Sequence, residues 1–233
     1  MSTKILFACG GTAGHVEPAL AVATWLKNNK PSWDLTFIGT KSGLENQLVP
    51  KAGFELRHIP KVLMPRQFTP ATLIWPIKIV FATLKAIQVC READLVIGFG
   101  GYACPPIYLA AALLRKPIFI HEANAIPGWA NRLGAVFASE IFIAFTRTQK
   151  KIGRWRSAKL SGMPIRAEII AAANLSPDQS SQIKNDQLEN GIFPKPNQQF
   201  LFLVGHRALV ILMKLFYNRY RLLQRRVYRL FTQ

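Results

Sequence analysis

The chain opens on an apolar run, Lys4 to Cys9 (KILFAC), that breaks at two glycines and resumes with a different period. The run reads as a short buried strand. Past the glycines, Ala19, Leu20, Val22, Ala23 and Leu26 recur at helical spacing. Pro18 suits the first position of that helix, where its missing N–H costs nothing. The exchange then repeats. Asp34 to Ile38 and Phe54 to Ile59 read as the second and third strands, and Ser42-Gly43-Leu44-Glu45 between them has the form of a capping box opening a short helix. Asp94 to Ile97, Pro117 to Ile120 and Ile141 to Phe145 are short and apolar, as strands buried on both faces are. This alternation over the first 145 residues predicts an α/β fold, a Rossmann-like doubly wound parallel sheet with helices on both faces.

Ligands of such sheets bind outside the carboxyl ends of the strands. Three marked segments sit there: Gly10 to His15, Gly98 to Tyr102, and His121 to Asn124. The first is a glycine-rich turn from strand into helix, which presents free backbone N–H groups at a positive helix end and suits a phosphate or another anion. His15 beside it offers a proton acceptor that titrates near neutral pH. The turn is not a P-loop, because no Lys-Ser or Lys-Thr follows its last glycine. It also fails the dinucleotide fingerprint: Cys9 stands where the first glycine belongs, and Phe37 to Thr40 carries no carboxylate for a ribose.

The net charge of +18 invites nucleic acid, anionic lipid or an anionic substrate. No zinc-finger spacing or RNA-binding aromatic signature accompanies it, so nucleic acid is not expected. The charge is uneven: no Asp or Glu follows Glu189, and seven Lys or Arg lie from Arg207 onward. The three cysteines, Cys9, Cys90 and Cys104, read as reduced thiols of a cytosolic protein. No His, Cys or Asp cluster has metal-ligand spacing, and neither metal nor cofactor is expected. Ala71 to Leu84 is apolar but too short to span a bilayer, and it contains Lys78. It suits an interfacial helix. Leu73, Ile74, Trp75, Ile77 and Phe81 would insert at headgroup depth while Arg66, Lys78 and Lys85 meet anionic lipid, part of the same helix covering the sheet.

GGTAGHVEPALAVA at 10–23, GFGGYACPP at 98–106, HEANAIPGWANR at 121–132 and SGMPIRAEI at 161–169 together resemble the MurG family. The family transfers GlcNAc from UDP-GlcNAc to lipid I, undecaprenyl-pyrophosphoryl-MurNAc-pentapeptide, making lipid II for peptidoglycan. The resemblance implies a GT-B enzyme of two Rossmann-like domains, peripheral to the cytoplasmic face of the bacterial plasma membrane, with other cell-wall synthesis proteins as further partners. Residues 1–165 then correspond to the N-terminal acceptor and membrane domain, 166–199 to a linker, and 200–233 to the start of the second domain followed by a basic tail. After Phe200 to Gly205 the family continues with a nucleotide loop, whereas this chain reads His206-Arg207-Ala208-Leu209. The expectation is a chain truncated or frameshifted near residue 205, the alternative being a natural basic tail helix.

The family reaction is an inverting displacement, so a base must take the acceptor hydroxyl proton and positive potential must stabilise the departing diphosphate. The resemblance makes His15 and Glu122 the candidate bases. His15 could instead bond the turn or the acceptor diphosphate, and Glu122 could instead orient the acceptor sugar or sit as a carboxylate among N–H groups at a helix end. Thr12, Ala13, Gly14, Asn124 and Arg166 match donor-binding positions. Gly11, Gly100, Gly101 and Tyr102 suit the acceptor diphosphate. Ala13 and Ala123 depart from the family's usual glycine and glutamine. Two readings follow: the GlcNAc transferase, or a catalytically inactive fragment that only binds acceptor lipid or the membrane surface.

Overall fold

A computed structural model describes residues 2–65, 70–149, 155 and 157–165. Arg166 and the expected linker and tail, 166–233, lie outside the described residues. The chain divides into two units, residues 1–161 and 162–233, and the fold below belongs to the first.

Seven strands form one sheet: β1 (Lys4–Cys9), β2 (Asp34–Gly39), β3 (Glu55–His58), β4 (Leu95–Gly100), β5 (Ile118–Glu122), β6 (Glu140–Ile143) and β7 (Lys159–Leu160). Their order is β3-β2-β1-β4-β5-β6-β7, and every neighbouring pair is parallel. The helices are α1 (Ala13–Asn29), α2 (Glu45–Lys51), α3 (Pro70–Leu73), α4 (Trp75–Glu92), α5 (Cys104–Leu113), α6 (Trp129–Gly134) and α7 (Thr146–Gln149). The chain crosses from β3 back past β1 to β4, so the order reverses between β1 and β4. That reversal opens the crevice in which doubly wound sheets bind ligands.

The two faces of the sheet are built from different residues because side chains alternate along a strand. Leu6, Ala8, Ile38, Val96, Ile118, Ile120, Ile141 and Ile143 form an aliphatic face that shares one cluster with Ala86 and Cys90 of α4, Ile107 and Tyr108 of α5, and Ala130 of α6. The other face is aromatic. Phe7 stacks on Phe37 at 4.9 Å and on Phe99 at 6.2 Å, and Phe119 on Phe142 at 6.4 Å. Helix α1 packs against β1 and β4, and its buried residues stand outside the aliphatic cluster. Helices thus cover both faces, as the βα alternation requires.

Four local expectations are corrected. Helix α1 begins at Ala13, directly out of the glycine turn, so Pro18 lies inside it and deprives the Gly14 carbonyl of its bond. Ser42 to Glu45 is no capping box: α2 starts after Leu44 without a side-chain cap, and Glu45 turns inward instead. Strands β4 and β5 run on to Gly100 and Glu122, which carries the marked residues onto the strand ends. The apolar stretch from Ala71 is divided at Ile74 into α3 and α4. The two-residue strand β7 had no hydrophobic run to announce it.

Candidate functional site

The strand order sets β1, β4 and β5 side by side, so the turns that follow them meet at one rim. They interlock. Gly101 adopts φ +96°, and a Cβ there would overlap the Gly10 carbonyl oxygen, so the second glycine turn lies backbone against backbone on the first. The His15 ring covers Gly100 so closely that a Cβ at Gly100 would stand 3.0 Å from Nε2. The Tyr102 ring covers Gly11, with Cε2 2.9 Å from the same hypothetical atom. Two turns separated by some ninety residues thus form one surface.

His15 stands in the first turn of α1, half-buried. Its Nδ1 lies 3.1 Å from Thr12 Oγ1, which fixes the ring. Burial holds the imidazole below its ordinary pKa, opposed by the Glu122 charge and by a bond to the Gly10 backbone. Burial thus favours the neutral imidazole, the form that can accept a proton. Because Thr12 Oγ1 serves His15, it leaves the helix end uncapped. The backbone N–H groups of Ala13 and Gly14 have no partner among the described residues, as expected at a helix N-terminus.

Glu122 ends β5 on the aliphatic face and is almost fully buried. Its carboxylate accepts four N–H bonds. Asn124 donates its backbone N–H and its amide to Oε1, both at 2.8 Å, while Gly128 N–H (3.0 Å) and Asn131 Nδ2 (3.1 Å) donate to Oε2. The network continues outward: Tyr108 Oη donates to Asn131 Oδ1 at 2.8 Å, and Thr148 Oγ1 to the Asn124 carbonyl at 3.0 Å. Burial raises the Tyr108 hydroxyl well above its ordinary pKa, so it remains a donor. Four donors leave this carboxylate little lone-pair capacity for a substrate proton. It shapes the loop from Ala123 to Gly128 and sets the potential felt by His15. His121, one residue back, faces the opposite way, its ring 5.6 Å from Phe99.

Beneath the turns, Cys9 and Cys104 are buried free thiols. Cys104 donates to the Ala8 and Gly100 carbonyls, and burial pushes its pKa up to about 12. Both thiols act as small core residues.

Several rim residues escaped the sequence reading. Asn131 sat inside a quoted motif, and the available signal was a polar residue next to Ala130 on the buried stripe of α6. Lys61 follows β3, where nothing marked it. Its Nζ bonds Ser42 Oγ at 3.2 Å and lies 4.7 Å from the Tyr102 ring centroid, and no carboxylate pairs with it among the described residues. Glu45 was read as a cap. Its carboxylate instead reaches the first glycine turn and accepts the Gly11 N–H at 2.8 Å, so that donor of the turn is not free.

Along the end of α3 and on α4 the expected stripe faces outward: Leu73, Ile74, Ile77 and Phe81 are exposed, joined by Val80 and Leu84, with Lys78 and Lys85 among them. Trp75 departs from it, half-buried with its ring edge-on to Trp129 at 6.5 Å. Among the described residues no helix is long and apolar enough to cross a membrane. A recess at the opposite end of the sheet, lined by Lys4, Asp34, Arg57 and Glu92, holds the Arg57–Glu92 ion pair and lies far from the rim.

The chain matches the Glycosyltransferase family 28 N-terminal domain over residues 5–143. It is 44% identical over 168 residues to the UDP-N-acetylglucosamine--N-acetylmuramyl-(pentapeptide) pyrophosphoryl-undecaprenol N-acetylglucosamine transferase of Thermobifida fusca, covering 71% of this chain and 43% of the relative. To the enzyme of the same name from Bifidobacterium adolescentis it is 42% identical over 193 residues, 82% of this chain and 49% of the relative. Among solved structures, Acinetobacter baumannii MurG superimposes with a TM-score of 0.57 at 32% identity, over 68% of this chain and 45% of that one. Anabaena HepE with bound UDP and glucose shares the fold at 18% identity, TM-score 0.56, over 79% and 50% of the two chains. The chain spans about half the length of the curated relatives it matches.

Proposed function

The chain belongs to the glycosyltransferase family 28 N-terminal domain family, and from that premise we propose that it serves the transfer of GlcNAc from UDP-GlcNAc to lipid I. In this reading it is the acceptor-binding half of the reaction. The observation that carries the proposal is the interlocked rim, where the ring of His15, its pKa lowered by burial, stands against two glycine turns.

The chemistry follows from the rim. The lipid-linked diphosphate lies along Gly100, Gly101 and Tyr102, drawn by backbone N–H groups and by Lys61. The His15 imidazole takes the proton from the attacking C4 hydroxyl as the new glycosidic bond forms at the anomeric carbon and UDP departs. Glu122 keeps its place among four donors, favouring the imidazolium that results. The free N–H groups of Ala13 and Gly14, with Thr12 and Asn124, face the donor side, and Arg166 is assigned there by motif alone. The outward stripe of α4 rests on an anionic bilayer at the cytoplasmic face, which brings the rim to a lipid-borne acceptor.

Two measurements test this. Calorimetric titration with a short-prenyl lipid I analogue is expected to show saturable binding, weakened about tenfold or more by Gly101→Ala, whose Cβ has no room. Absence of wild-type binding would overturn the proposal. GlcNAc transfer from UDP-GlcNAc to the same analogue then separates the transferase from a chain that binds acceptor alone.

A further inference from the structure

We propose that Glu45 is a positioning residue for the first glycine turn, an internal carboxylate that holds the turn in the shape its diphosphate ligand requires. The inference rests on the reading of the rim as a diphosphate site, and it concerns a residue outside every motif that identified the rim.

The geometry is specific. Glu45 opens α2 and is fully buried. Oε1 accepts the Thr40 backbone N–H at 3.0 Å and the Thr40 hydroxyl at 3.1 Å, while Oε2 accepts the Gly11 N–H at 2.8 Å. One carboxylate therefore ties the end of β2 to the turn after β1. The space it occupies exists because the neighbours lack side chains: a Cβ on Gly10 would stand 2.9 Å from Oε1, and one on Gly39 2.6 Å from Cγ. Among the described residues no lysine or arginine pairs with it. Its charge is held by N–H and O–H donors alone, the way a glycine turn holds a bound anion.

Two consequences follow. The Gly11 N–H is spent on Glu45, so the ligand must take other donors. Those left on this side include the N–H groups of Ala13 and Gly14, at the start of α1. Gly11 itself, at φ +91° and covered by Tyr102, is fixed from below by Glu45 and from above by the ring. Releasing the lower contact frees the turn on which both Tyr102 and the start of α1 rest. Glu45 touches no substrate in this scheme and acts through Gly11.

Glu45→Gln tests it. The isosteric amide must place an N–H against the donor of either Gly11 or Thr40, so one tie is lost while volume is kept. In the full-length chain, amide hydrogen exchange at Gly11 is expected to rise about tenfold, while Phe7 in the middle of β1 changes less than about twofold. Affinity for inorganic pyrophosphate, read by calorimetry, is expected to fall about fivefold to tenfold. Thr40→Val, which removes the hydroxyl that reaches both Oε1 and the Ser42 carbonyl but keeps the Thr40 N–H tie, moves both readouts in the same direction by less and serves if Glu45→Gln does not fold. Farnesyl diphosphate and UDP titrated in parallel report whether the acceptor's or the donor's diphosphate uses the turn. Unchanged exchange at Gly11, or an equal rise at Phe7, overturns the positioning role. Looser Gly11 with undiminished pyrophosphate affinity overturns it too, leaving the diphosphate site standing. Failure of the wild-type chain to bind pyrophosphate, farnesyl diphosphate and UDP removes the diphosphate site itself, and Glu45's role with it.

Discussion

At the scale of single residues, the rim turns on how two ionisable groups share it. His15 is desolvated, which lowers its pKa, and Glu122 opposes that shift. The sign of the pH dependence follows. A base must be unprotonated, and a lowered pKa moves the loss of the free base toward the acid side. Any reaction or ligand that needs the free imidazole should therefore hold constant above neutrality and decline only on the acid side. Removing the opposing charge should lower the histidine further. Imidazole proton shifts followed by NMR titration are expected to show a lower His15 pKa in Glu122→Gln than in the wild type. The same substitution should cost stability at about 1–3 kcal/mol for each donor left unpaired, and two of the four N–H donors lose their acceptor because each oxygen holds two. An unchanged or raised His15 pKa would contradict the coupling. The sequence identified both residues, since each sits at a strand end inside a marked motif. It could not reveal that Glu122 is saturated, because its donors Gly128 and Asn131 reach it only once the loop after β5 has closed. Lys61 and Glu45 were illegible for a related reason: each acts across strands on a turn distant in sequence, and neither disturbs a local pattern.

At the scale of elements, hydrophobic period carried most of the information. Six of the strands were legible from short apolar runs, and their parallel order from the helices between them. Boundaries slipped where the local rule met a tertiary demand, as when Glu45 left its cap for the glycine turn and when β5 extended through a histidine and a glutamate. Helix α4 shows the same division of labour. Its inward side, Ala82, Ala86 and Cys90, packs on the sheet, and its outward side presents Ile77 at 67% and Phe81 at 53% exposure. A sequence periodicity that served only the core would not leave both sides apolar. Vesicle co-sedimentation checks the outward side. Binding to anionic vesicles should weaken about tenfold or more in the Ile77→Glu, Phe81→Glu double variant, and should fall with added salt as Lys78 and Lys85 are screened. Melting temperature should stay within a few degrees, since both substitutions are on the surface. Equal vesicle binding by the variant would remove α4 as the contact.

At the scale of the whole molecule, topology does what no single motif does. The reversal of strand order between β1 and β4 brings the first glycine turn, the second, and the loop after β5 together. Fold class was accessible from the alternation of strand and helix patterns, and the family from the resemblance of four quoted motifs. What the sequence left open was the fit between the turns: the overlap at Gly101, the two rings lying on glycines, and the carboxylate below. These belong to packing, where a tenth of a nanometre decides. The most direct test of this convergence is a titration of the isotopically labelled chain with a short-prenyl lipid I analogue, followed by backbone amide NMR. Saturable shifts are predicted at Gly10 to His15, Gly100 to Tyr102 and Ala123 to Gly128 together, with Lys4, Asp34 and Asp94 at the far end of the sheet unmoved. Shifts confined to that far end, or to one of the three segments alone, would contradict it.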